Sequence, residues 1–136
     1  MKTYIEIQKE KTEKVTRLID ECRLFFAFND VQFIEGSRKN PLEPGDRYVS
    51  VASGGFMPKS LTQLWIDGAV ELEKWERRMI EEYSLQEAEI IYTLENYECW
   101  YVGSPAEAIE KLNDVYSPEQ VRAVYGKYFN EKMKDL

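Results

Sequence analysis

Histidine is absent from the 136 residues, and cysteine occurs only twice. Without an imidazole, Ser-His-Asp and Cys-His catalysis are excluded, and so are the usual zinc sites. Cys22 and Cys99 form no CxxC pair, a usage that favours two reduced, buried thiols. No apolar run approaches the roughly 18 residues of a membrane-spanning helix. The opening Met1-Lys2-Thr3-Tyr4-Ile5-Glu6 also lacks the apolar core of a signal peptide. The expectation is a cytoplasmic chain with no membrane partner.

What the chain does have is apolar residues at 43%, aromatics at 13% and a net charge of −7. The first two numbers argue against disorder and suit one domain with a buried core. The charge is uneven. Residues 1–60 hold 10 basic and 9 acidic side chains and residues 99–136 hold 5 and 6, whereas residues 61–98 hold 3 and 10. A field so placed repels nucleic acid and favours a basic protein partner, unless it is only a solvated helical face.

Glu43-Pro44-Gly45-Asp46 reads as a tight turn, since proline presets φ and glycine permits a positive φ after it. Residues 47–52 alternate as a short half-buried strand, ended by Ser53-Gly54-Gly55, with Phe56 and Met57 as an apolar plug in a loop. Ser60 with Gln63 makes a capping box for a long helix, about residues 60–83. Glycines followed by a helix start could hold an anion, with Gly54, Gly55, Lys59 and Ser60 as contacts, although the Walker spacing is missing. The plainer alternative is a strand-to-helix corner.

Around this stretch, Ile7, Lys11, Val15, Leu18, Ile19 and Cys22 recur at helical spacing, better after Thr12 than before it. A first helix is expected with residues 1–12 frayed. Leu24 to Phe28 suits a strand, and Asn29 can cap a short helix that Gly36 ends. Ser84 with Glu87, Ser104 with Glu107 and Ser117 with Gln120 are further capping boxes, for helices at about 85–96, 105–113 and 118–133. Residues 99–102 could add a strand. The prediction is one α+β domain, five or six helices around a two- or three-stranded sheet.

The segments Phe25-Phe26-Ala27-Phe28-Asn29, Gly45-Asp46-Arg47-Tyr48-Val49-Ser50, Gly54-Gly55, Pro58-Lys59 and Asn96-Tyr97-Glu98-Cys99-Trp100-Tyr101 carry a resemblance. Over roughly residues 24–125, the chain resembles a family of small uncharacterised proteins from gut bacteria, often borne by phages or other mobile elements. Tyr97 stands where histidine is common in that family, and Ser104 where aspartate is. The resemblance implies a mobile-element setting and no particular activity.

Two sites follow. Glu71, Glu73, Glu76, Glu81, Glu82, Glu87 and Glu89, with Tyr92, Trp100 and Tyr101 beside them, would form a docking surface for an Arg- or Lys-rich partner by charge, area burial and cation–π contact. Glu98 next to Cys99 is an acid–thiol pair at an element boundary, but an acid opposes thiolate formation and no imidazole can serve as base. No catalytic residue, cofactor or metal is expected. The second reading is a small-ligand or nucleotide site at Ser53–Ser60.

Overall fold

The apolar spacing of the first segment does form a helix, α1 (Tyr4–Glu21). It ends where Arg23 turns left-handed, φ 57°. There the Arg23 N–H donates to Asp20 and the Leu24 N–H to Ile19, a Schellman closure built without glycine. The computed structural model, which describes residues 1–135, continues with β1 (Phe25–Phe26), α2 (Asp30–Lys39), β2 (Tyr48–Val51), β3 (Gly55–Pro58) and α3 (Thr62–Glu82). The helices α4 (Gln86–Asn96), α5 (Cys99–Val102), α6 (Ala106–Lys111) and α7 (Pro118–Met133) complete an α+β fold. The chain divides into two compact units, residues 5–78 and residues 1–4 with 79–136.

The unit of residues 5–78 contains the sheet. Its order is β1-β3-β2, antiparallel throughout, with Phe25 opposite Phe56 and Val49 opposite Met57. β3 is the stretch predicted to be a loop plug. Ser53 and Gly54 both have positive φ, 63° and 79°, which reverses the chain tightly enough for Phe56 and Met57 to pair back on β2. Pro58, with no N–H to give, is tolerated in this central strand because the two-residue β1 does not reach it.

On one side lie Leu18, Cys22, Leu24 and Met57, packed by Trp65 and Leu72. Gly68 belongs to the same packing, because a Cβ there would come within 2.5 Å of the Leu18 side chain. An aromatic cluster of Phe25, Phe33, Tyr48 and Phe56, with ring centroids 5.1–6.0 Å apart, fixes α2 to the sheet. The Tyr48 hydroxyl is held by the carbonyls of Ser37 and Asn40 at the end of that helix. Asn29 caps α2 as its sequence predicts, accepting from the Gln32 N–H at 2.8 Å.

The other unit is helical. Ile90, Leu94, Cys99, Trp100, Ala108, Leu112, Tyr116, Val121 and Val124 make its core. Residues 99–102, expected as a strand, form the short helix α5 between left-handed Glu98 (φ 53°) and left-handed Gly103 (φ 75°). Ser117 and Gln120 form the predicted capping box. The other boxes do not form. Ser84 is the left-handed residue closing α3, its N–H donating to Glu81 and that of Leu85 to Ile80. Ser104 receives the Ala106 N–H in a turn, and Gln63 bonds forward to Asp67 instead of back to Ser60.

Candidate functional site

The glycine corner is occupied by the chain itself. Gly54 gives its carbonyl to the Ala27 N–H, and Gly55 is buried in β3 opposite Phe26 and Val51. Lys59 and Ser60 lie at the other end of β3, roughly 13 Å along a strand of this length. There the Lys59 N–H donates to the Arg47 carbonyl, and the Ser60 N–H and hydroxyl both donate to the Asp46 carboxylate. The Ser60 hydroxyl, aided by backbone N–H groups, holds the Asp46 carboxyl below its ordinary range. The four predicted anion contacts therefore do not converge, and an internal carboxylate takes the place an anion would need.

The predicted acidic docking residues fall in both units. Glu71, Glu73 and Glu76 belong to the unit of residues 5–78 and the other seven residues to the second unit. Glu71 is exposed and pairs with Lys74 at 3.7 Å. Glu76 is buried, accepting from Gln8 at 2.8 Å and Lys11 at 3.0 Å. Glu89 is buried too and accepts from the Tyr116 hydroxyl at 2.7 Å. Glu87 is half-buried and engaged by Tyr128 and Lys127, which hold its carboxyl below the usual range. Trp100 is core, its ring stacked on Tyr125 with centroids 5.1 Å apart. Glu76 and Glu89 cannot form an open docking face, because helical periodicity turns them inward. Glu73, Glu81, Glu82, Tyr92 and Tyr101 remain exposed.

Charge nevertheless concentrates by unit. Residues 5–78 hold 12 basic and 13 acidic side chains; residues 1–4 with 79–136 hold 6 and 12 and so carry −6 of the −7. Within that unit a cleft of about 300 Å³ is lined by Glu95, Glu98, Trp100 and Tyr101. Glu95 reaches it from the last turn of α4, where its carboxylate also accepts from Lys132 at 2.7 Å. Glu98 and Tyr101 are placed by the left-handed turn between α4 and α5, and Tyr101 stands 76% exposed. Glu98 has no ion pair among the described residues. Among the described residues, the buried indole N–H of Trp100 lacks an acceptor. Two carboxylates beside an aromatic edge suit a cationic group. Glu95 and Glu98 are absent from the predicted docking set. Their i, i+3 spacing around Tyr97, just before Trp100 and Tyr101, was the available signal.

Neither thiol is prepared for chemistry. Both cysteines are buried, and burial pushes each thiol up, with the charges of Glu21 on Cys22 and Glu107 on Cys99 adding to it. Among the described residues, no three acidic or thiol side chains converge as metal ligands, and no helix is long and apolar enough to cross a membrane.

No curated protein and no solved structure matches the chain. A model described as "Family of unknown function (DUF7659)" matches residues 4–131, and the chain belongs to that family.

Proposed function

We propose that this is a non-enzymatic interaction protein whose acidic unit, residues 1–4 with 79–136, docks a basic protein partner through the cleft of Glu95, Glu98, Trp100 and Tyr101. The observation that supports it is the convergence of two carboxylates and two aromatic side chains on the unit that holds −6 of the charge. An arginine or lysine of the partner would sit between the carboxylates and against the Tyr101 ring, while Glu81 and Glu82 add long-range attraction. In this reading the protein is cytoplasmic and does not bind nucleic acid itself. The resemblance to mobile-element proteins extends the proposal to a nucleic-acid-handling host or defence protein as the partner, with inhibition by competition for its basic surface.

The test is titration of the full chain with arginine- and lysine-rich peptides at low and high salt, followed by calorimetry. Binding is expected at low salt, weakening as salt screens the charges. Glu98→Gln and Tyr101→Ala are each expected to lower affinity about 3- to 5-fold, the size of an exposed cation–π or ion-pair contribution. Glu71→Gln, in the other unit, should leave it unchanged. Absence of binding at low salt, or binding indifferent to Glu98 and Tyr101, refutes the assignment.

A further inference from the structure

We propose that the chain self-associates through the outer face of α2, pairing antiparallel with α2 of a second copy. Phe26, Phe28, Val31 and Ile34 are 49%, 75%, 71% and 54% exposed, four large apolar side chains within nine residues. At about 200 Å² per large side chain they present on the order of 500 Å², at the upper end of what a monomer leaves uncovered without a use.

The helix itself explains why Val31 and Ile34 stand outward. Phe33 and Gly36 face the sheet, and Gly36 lies so close to Phe25 that a Cβ would come within 2.1 Å of its ring. The opposite face is therefore Val31, Ile34, Glu35 and Arg38, the i, i+3, i+4, i+7 stripe by which helices pair.

Charge names the occupant. Asp30 lies in the first turn of α2, Glu35 near its middle, and Arg38 and Lys39 in its last turn. None of the four has an ion pair among the described residues. A two-fold axis near Ile34 and Glu35 brings Asp30 of one copy level with Arg38 and Lys39 of the other. It also sets the helix dipoles antiparallel. Such a surface is complementary to itself at both ends, where Asp30 meets the two bases, a match that an unrelated partner would make only by coincidence. Beside it a cleft of about 370 Å³, edged by Phe26, Phe28, Glu35 and Lys39, is open to a side chain of the second copy. The pair would bury on the order of 1,000 Å², at the low end for specific association, so a weak and concentration-dependent dimer is expected.

Sedimentation equilibrium of the full chain from about 5 to 500 µM is the test, since mass action alone shifts the populations over such a range. A monomer–dimer equilibrium is expected, lost in Ile34→Asp, an exposed site where folding is not at stake. Arg38→Glu with Lys39→Glu, and separately Asp30→Lys with Glu35→Lys, should each be monomeric. Mixing the two should restore dimer as a heterodimer, with circular dichroism confirming that both keep their helix content. A monomer over the whole range overturns the proposal. So does a dimer indifferent to Ile34→Asp, or charge variants that associate alone as well as they do together.

Discussion

Replacing Lys11 by methionine removes one partner of the buried Glu76 carboxylate while keeping most of the side-chain volume. Glu76 would keep the Gln8 hydrogen bond and Arg77 at 3.7 Å, but lose the Lys11 bond at 3.0 Å. A hydrogen bond to a charged group contributes about 1.5–3 kcal/mol, and breaking a fully buried pair costs about 3–5. Lys11 is only partly buried, so about 2 kcal/mol is expected at pH 7. Burial by itself raises the Glu76 carboxyl, yet hydrogen bonds from Gln8 and Lys11 and the charges of Lys11 and Arg77 bring it below the ordinary value. The sign follows from linkage. A folded-state value below the unfolded one means stability that is complete above the ordinary carboxylate range and lost as pH falls through the depressed value. The gap between wild type and Lys11→Met should therefore be constant near neutrality and narrow below about pH 4. Glu76→Gln should cost about 1 kcal/mol at pH 7, and its gap from wild type should narrow in acid too, since only the wild-type carboxylate titrates. Urea denaturation at stepped pH, followed by tryptophan fluorescence, measures all three. A Lys11→Met loss under about 0.5 kcal/mol, or one that stays flat into acid, would refute this account of the carboxylate.

Three further outcomes can be checked by similar measurements. Gly68→Ala should destabilise by roughly 1 kcal/mol, the helix-propensity gain being outweighed by collision with Leu18. In a Leu18→Ala background the same change should stabilise, and a denaturant double-mutant cycle shows the reversal. Ser84→Gly, at φ 53°, should raise stability by up to about 1 kcal/mol in thermal unfolding, because glycine adopts the left-handed conformation without strain. Cys22 and Cys99 should react slowly with a thiol reagent in the native chain and fast in denaturant, as burial keeps both thiols covered and protonated at neutral pH.

Helices were the legible part of this fold, and paired strands were not. The periodicity of residues 62–82 and 118–133 marks one buried face in each, so α3 and α7 could be placed from local pattern alone. β3 could not, since Phe56-Met57-Pro58 is too short to show alternation and contains a proline. Its identity depends on the Ser53-Gly54 reversal and on pairing with both other strands. Serine punctuation misled for a related reason. Ser84 and Ser117 have the same sequence signature, but a serine followed three residues later by an acid or amide also fits a helix end, and only tertiary packing selects between them. In the candidate site, Trp100 and Tyr101 were legible as residues but not as opposites, one buried and one exposed. The short helix α5, set by left-handed Glu98, decides which ring faces inward.

Asp46 and Ser60 are 14 positions apart, and their contact makes the corner before α3 a self-ligated one. An acid tethered by so short a segment competes at an effective concentration on the order of millimolar or above. Free phosphate would have to displace it while leaving a carboxylate unsatisfied nearby. Loop and helix are thus latched by a side chain that competes with any anion for the same donors.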